Sequence, residues 1–229
     1  MIERILEEAP RFFTYWNILF LGGAMLTTFL LTAVGCVLGF GFGFLMAVAR
    51  GTSGLVLAPL RGLVFAITEV FRRVPFLVTL FIVFYAFQGA DLDLSVFWVA
   101  MTAVVLIAAS FIGEIVRGGL ESVHRNQWDA AEALNMGRIQ SLRYVILPQA
   151  WPVILPPAFS FFILFIKDTA LASQIGVVEL TYAGKVLNNR GFSAALVFGT
   201  VLVLYFVLSY PLTRLGRWLE ARVAAPRHR

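Results

Sequence analysis

ILFLGGAMLTTFLLTAVGCVLGFGFGFLMAVA, residues 18–49, is a run of 32 residues without one charged side chain. Crossing the hydrocarbon of a bilayer takes about 20 helical residues, so this run is read as a tilted or slightly overlong membrane-spanning helix. The rest of the chain has the same character. Of its 229 residues 60% are hydrophobic and 14% charged, where an ordinary soluble domain carries about 25% charge, and mean hydropathy is +0.86. Such a composition leaves too little polar surface to cover a soluble globule, and it implies one bilayer-embedded, all-α domain.

Upstream, residues 1–17 contain Glu3, Arg4, Glu7, Glu8 and Arg11. A cleavable signal has a basic start and a short apolar core, so this stretch is expected to be an amphipathic helix lying on the membrane surface. Downstream, Arg50 and Gly51 end the first span. A second apolar stretch, 55–87, is interrupted by Arg61, Glu69, Arg72 and Arg73, and Pro75 breaks its backbone hydrogen bonding. After the acidic pair Asp91 and Asp93 comes a third span, 94–116. Residues 118–147 form the extended polar region. Pro148, Pro152, Pro156 and Pro157 then place the fourth span late, at 157–177, and the fifth is 191–213, ahead of a basic tail at 214–229. Within the first span Gly35, Gly39 and Gly43 recur every four residues. They read either as a ridge for close helix packing or as the glycine commonly found in membrane helices.

Short cytoplasmic loops are enriched in Lys and Arg. With five spans, Arg50, the four arginines at 117, 125, 138 and 143, and the five at 214, 217, 222, 227 and 229 fall on one side, ten in all. The other side has Arg4, Arg11, Lys185 and Arg190. The N-terminus is therefore expected outside, with the polar loop and the C-terminus inside.

The net charge is +5. Its basic residues are scattered between apolar runs, with neither an aromatic-basic reading face nor zinc spacing, so nucleic acid is not an expected partner. Cys36 is the single cysteine and sits in an apolar run, which excludes an intrachain disulfide and a cysteine-based metal site. No metal site is expected from His124 and His228, which lack metal-ligand company and read as solvated surface residues. The spans contain no histidine, against the nucleophile-and-base or metal chemistry of an intramembrane hydrolase. No Walker-type Gly-Lys loop is present, so this chain is expected to bind no nucleotide cofactor itself.

A 30-residue polar loop in so compact a membrane protein is expected to be functional. Gln127 to Leu134 reads Gln-Trp-Asp-Ala-Ala-Glu-Ala-Leu, strong helix formers with Ala130, Ala133 and Leu134 on one face. Asn135, Met136 and Gly137 supply a turn, and Leu142, Val145 and Ile146 begin another amphipathic helix. A short helix with an alanine face suits a groove on a partner, because small side chains permit close backbone approach.

Here the sequence resembles the permease subunits of binding-protein-dependent ABC importers, in particular the polar amino acid group of histidine, glutamine and arginine type. That family's loop signature is Glu-Ala-Ala, three residues, Gly, nine residues, an aliphatic residue, one more, Leu and Pro. This chain has Asp129-Ala130-Ala131, Asn135 at the glycine position, then Val145, Leu147 and Pro148. Asp keeps the carboxylate on a shorter arm, and Asn is among the few residues that accept left-handed backbone angles. Glu69-Val70-Phe71-Arg72 with Pro75-Phe76-Leu77, Glu114-Ile115-Val116-Arg117-Gly118-Gly119, Pro148-Gln149-Ala150 and Lys167-Asp168-Thr169-Ala170-Leu171 resemble further segments of the group.

The resemblance implies a five-span permease core of the type I importer fold in a bacterial inner membrane, with a cytoplasmic coupling helix-turn-helix between spans three and four. It implies as partners a second permease subunit, in a homodimer or heterodimer, two cytoplasmic ATPase subunits that bind the ATP, and an extracytoplasmic solute-binding protein, all in contact with membrane lipid. Gln127, Asp129, Ala130, Ala131, Leu134, Asn135 and Gly137 are the expected ATPase-coupling residues. Ionisable groups at membrane depth are functional candidates by default, so Glu69, Arg72, Lys167, Asp168 and Thr169 are expected to line a polar cavity for a zwitterionic amino acid. The alternative is an ion-pair network that fixes helices. Neighbouring helical residues point about 100° apart, so Lys167 and Asp168 are expected not to neutralise each other side by side. An ion-coupled secondary transporter or channel subunit is the alternative to the importer reading.

Overall fold

The computed structural model describes residues 2–51 and 57–224. The start of the expected second span and of its linker, 52–56, lies outside the described residues, as do Arg227, His228 and Arg229. Every regular element among the described residues is helical: α1 (Ile2–Phe12), α2 (Tyr15–Arg50), α3 (Ala58–Arg73), α4 (Phe76–Gly89), α5 (Val96–Glu121), α6 (Arg125–Ala133), α7 (Arg138–Ser141), α8 (Leu147–Asp168), α9 (Leu180–Asn189) and α10 (Ala194–Ala224). A π turn, Leu142–Ile146, joins α7 to α8, and a 3₁₀ segment, Thr169–Ile175, follows α8.

Four helical runs are long and apolar enough to cross a membrane: Tyr15–Arg50, Val96–Glu121, Arg138–Ile175 and Ala194–Arg222. The expected second span does not hold as one helix. Pro75 has extended backbone angles, φ −57° and ψ 142°, and it both lacks an N–H and disfavours helix at the residue before it. The charged segment therefore closes as α3 and the uncharged one opens separately as α4. At about 1.5 Å per residue, the 14 residues of α4 reach roughly 21 Å, less than the hydrocarbon thickness of about 30 Å.

The helix that carries the expected fourth span, 157–177, starts earlier than that span. Helix α8 begins at Leu147 and carries Pro152, Pro156 and Pro157 inside it. Each proline removes only the hydrogen bond to the residue four before it, and membrane helices tolerate such gaps. Pro148 follows just after the π turn Leu142–Ile146, inside the same continuous helical run. The helix of the expected fifth span, α10, continues past residue 213 into the basic tail as far as Ala224.

The chain forms two compact units. The first comprises Met1–Val37, Val74–Val105 and Phe162–Thr213. Its core joins Phe12, Leu21 and Ala24 to Leu180 and Ala183 of α9 and to Val197 and Val201 of α10. Asn17 turns the chain from α1 into α2 by donating to the Phe12 carbonyl at 3.0 Å. Glu179 is fully buried and caps α9, accepting from the N–H groups of Thr181 at 2.9 Å and Tyr182 at 2.7 Å and from the Tyr205 hydroxyl at 2.8 Å. That side chain takes two of the open N–H groups in the first turn of α9, while the Leu180 N–H donates to the Thr28 hydroxyl at 3.2 Å, and it fastens α9 to α10.

Helix α1 is held by its acid side. The Ser193 N–H donates to Glu8 at 2.7 Å and Arg4 donates to it at 2.7 Å. These contacts, the Ser193 N–H foremost, lower the Glu8 carboxyl to about 2. A carboxyl depressed in the folded state contributes fully above its ordinary pKa and less as pH falls toward the folded value. Protection of the Ser193 amide, its exchange compared with the unfolded chain at the same pH, is therefore expected to fall as pH drops below 4.5 toward about 2, with no such step in Glu8→Gln.

The second unit comprises Leu38–Arg73, Leu106–Phe161 and Arg214–Arg229. Here α2 and α5 meet backbone to backbone: a Cβ on Gly43 would lie 2.7 Å from the Ala109 carbonyl oxygen and from the Gly113 nitrogen, and one on Gly39 would lie 2.3 Å from the Ala108 Cβ. In the first unit a Cβ on Gly35 would lie 2.4 Å from Val104. All three glycines thus face α5, which favours the packing-ridge reading. Phe40 stacks on Trp151 with centroids 6.0 Å apart, and the buried Ile154 of α8 fills the space beside Gly119.

Candidate functional site

The polar loop is helical. α6 starts at Arg125 because His124 caps it, Nδ1 accepting from the Asn126 N–H at 3.3 Å; the histidine expected to be only solvated is exposed and also has this structural role. Gln127 Oε1 accepts from Gln149 Nε2 at 3.1 Å, which ties α6 to the start of α8. Asp129, Ala130 and Ala133 are exposed, whereas Ala131 is buried. The alanine pair of the loop motif is therefore divided, one side chain outward and one inward.

The turn is made at Asn135, whose φ is +57°. That angle lies in the left-handed region, which Asn enters more readily than any β-branched residue. Gly137 then opens α7, and its N–H donates to Gln140 Oε1 at 2.9 Å. Apolar side chains are presented to solvent along the loop and the turn after it: Leu134 is 76% exposed and Ile139 81%. Asn135→Val is expected to destabilise the turn by about 1–2 kcal/mol, while Asn135→Gly leaves it intact; protease cleavage between α6 and α7 measures the difference.

A second set of residues gathers around Glu114, near the end of α5. Its carboxylate is 3.0 Å from Arg50 of α2 and 3.6 Å from Arg72 of α3, and it is hydrogen-bonded to Arg117 one turn on. Arg117 also pairs with Glu121. Glu69 takes Arg73 at 2.6 Å and Arg72 at 4.0 Å. The arginines are braced by rings, Arg50 over Phe65 at 5.3 Å and Arg72 over Phe111 at 6.0 Å. Three helices in the second unit are thus fastened through one acid that is one-fifth exposed.

Glu69 and Arg72 are among the expected site residues and Glu114 is not. A signal was available: Glu114-x-x-Arg117 repeats the spacing of Glu69-x-x-Arg72. Arg72 bridges the two acids, and Arg73 is an ion-pair partner of Glu69.

Lys167, Asp168 and Thr169 form a separate group in the first unit. They lie where α8 gives way to the 3₁₀ segment, toward the end of the helical run Arg138–Ile175. Lys167 is exposed, Asp168 half-buried, and Thr169 buried with its hydroxyl donating to the Ile166 carbonyl at 2.8 Å. Lys185 of α9 donates to Ser173 at 3.1 Å in the same unit. Among the described residues no group of three or more His, Cys, Asp or Glu side chains is placed to hold a metal ion.

Residues 39–225 match the model of the family described as binding-protein-dependent transport system inner membrane component. The chain is 34% identical over 207 residues to the glutamine transport system permease protein of Escherichia coli, covering 90% of this chain and 93% of that one. It is 36% identical over 197 residues to an octopine transport system permease protein of Rhizobium radiobacter, covering 82% and 78%. Among solved structures, an amino acid ABC transporter crystallised with histidines superposes with a TM-score of 0.80 at 26% identity, over 90% of this chain and 95% of that one. The MetNI methionine ABC transporter in an inward-facing form gives 0.76 at 25% identity, over 92% and 99%.

Proposed function

This chain belongs to the family of binding-protein-dependent transport system inner membrane components, and we propose from that membership that it forms the path of a polar amino acid, or an amino-acid-like solute, through an importer driven by separate ATPase subunits. It is a multi-pass inner-membrane permease subunit of an ABC importer. The finer reading is that the chain crosses five times, counting α3 and α4 together as the second crossing, with the N-terminus outside and the C-terminus inside. Two cytoplasmic ATPase subunits, a second permease subunit and an extracytoplasmic binding protein complete the assembly, and hydrolysis of ATP falls to the ATPases.

The observation that carries this reading is the loop α6 to α7. It is a short helix and a left-handed turn that display Ala130, Leu134 and Ile139 to solvent, where a soluble protein would bury its apolar side chains. Exposed apolar side chains on a folded, capped element mark a docking surface. The substrate class rests on the relatives named above and on mixed charge: Glu69 with Arg72 in one unit, Lys167 with Asp168 in the other, groups of both signs that suit an ammonium and a carboxylate.

The test is uptake into proteoliposomes that hold this chain with its partner subunits and binding protein. ATP-dependent accumulation of a polar amino acid, competed by others of the same charge class, is the expected result. Accumulation that persists without ATPase subunits and follows an ion gradient would replace the importer with a secondary transporter.

A further inference from the structure

Lys185 of α9 is a half-buried cation with no acid beside it. Among the described residues its one hydrogen-bond partner is the Ser173 hydroxyl, 3.1 Å away on the 3₁₀ segment that packs against α9. In the second unit, by contrast, Arg50, Arg72 and Arg117 all share the Glu114 carboxylate. Lys167, the only other lysine of the chain, has Asp168 next to it in sequence. A lysine without such a partner ordinarily lays its stem on the surface and extends its ammonium into water. Here the ammonium turns inward instead, to a serine that is 6% exposed.

An ammonium carries three donors and no acceptor, and a hydroxyl that accepts from it keeps its own hydrogen to donate. One Lys185 donor is spent on Ser173, and the Ser173 hydrogen has no acceptor among the described residues. Unspent donors, most of them on a full positive charge, thus lie on two atoms 3.1 Å apart. The surrounding elements fix them there. Glu179 caps the start of α9, a Cβ on Gly184 would lie 3.0 Å from Val201 of α10, and Gly176, at φ +90°, closes the 3₁₀ segment. Donors held in place without an acceptor are complementary to an anion.

We propose that Lys185, aimed by Ser173, binds the α-carboxylate of the transported amino acid. The assignment rests on the transport reading above and adds to it the group that takes the one anion common to every α-amino acid. Its signature is indifference to the side chain: whatever is carried presents the same carboxylate to the same ammonium.

Uptake of L-glutamine, L-glutamate, L-histidine and L-arginine into proteoliposomes that hold the full complex and its binding protein tests it. Lys185→Met keeps the apolar stem and loses the ammonium. Its rate is expected to fall about tenfold or more for each of these that the unaltered complex carries, the effect of one charged hydrogen bond, and Ser173→Ala is expected to cost several-fold. An unchanged rate, a loss confined to glutamate, or a gain for arginine overturns the assignment, the last two because Lys185 would then be reading side-chain charge. A second measurement needs no variant. A labelled amino acid that the complex imports is bound to the permease–ATPase complex without binding protein, and its α-amide, which lacks the anion, is expected to displace it at least tenfold more weakly than the free acid. Displacement by the amide or by inorganic phosphate as effective as by the free acid overturns the proposal. No uptake by the unaltered complex removes the transport reading and this assignment together, whereas intact uptake in Lys185→Met removes the assignment alone.

Discussion

Ala130→Trp is expected to release the ATPase subunits and abolish ATP-dependent uptake while leaving the chain itself folded. Ala130 is exposed on α6, so an indole there meets no internal neighbour and acts only on what docks outside. Fully desolvated contacts at the centre of an interface commonly contribute more than 1 kcal/mol each, and about 1.4 kcal/mol is a factor of ten in affinity. Blocking close approach of a small-residue face should remove several such contacts, a loss of roughly a hundredfold or more. Ala131→Trp makes the contrast. That side chain is 2% exposed, so an added indole has to displace the packing beneath α6, at a cost of about 1–3 kcal/mol or more. Co-purification of tagged ATPase and the melting temperature of the permease together separate the two effects. Ala130→Trp with unaltered ATPase capture would remove the loop from the docking surface.

Glu114→Gln is expected to lower the melting temperature more than any other single charge removal in the second unit. The substitution keeps shape and loses the charge that Arg50, Arg72 and Arg117 share. Three guanidinium groups then face one another around a neutral amide. Removing one partner of a buried ion pair costs about 3–5 kcal/mol, and a group one-fifth exposed is screened in part, so about 2–3 kcal/mol is the expected loss. For a chain of this size that is roughly a 5–10 °C fall in melting temperature. Glu69→Gln is expected to cost less, about 1 kcal/mol or below, because its nearest partner Arg73 is 77% exposed. Adding Arg72→Gln to Glu114→Gln should recover part of the loss by relieving repulsion, a coupling that a double-mutant cycle reads directly. A melting temperature unchanged in Glu114→Gln would mean that water, not the carboxylate, holds these arginines.

The loop and the charge cluster differ in how much of them was legible before folding. Within the loop nearly every feature is local: α6 follows from helix formers between 125 and 133, and the left-handed turn at Asn135 from the residue type that tolerates it. Local too is the break at Pro75, visible as a missing N–H, though only the folded chain turned one expected span into α3 and α4. Proline was a poorer guide in α8, where Pro152, Pro156 and Pro157 stay inside one helix. A proline removes one backbone hydrogen bond and crowds the preceding turn, and membrane helices carry such gaps without ending.

Sequence by itself determined that this is a helical membrane protein with an apolar first span, glycines at four-residue spacing in that span and a polar, helix-forming loop between its expected third and fourth spans, because hydropathy, periodicity and turn chemistry are properties of neighbouring residues. Only tertiary structure decided that Glu114 gathers Arg50 and Arg72, that Ala131 points in while Ala130 points out, and that Lys185 meets Ser173. Arg50 and Glu114 are 64 residues apart, and no local pattern encodes which distant charge a side chain will meet once α2 and α5 close on each other at Gly39 and Gly43.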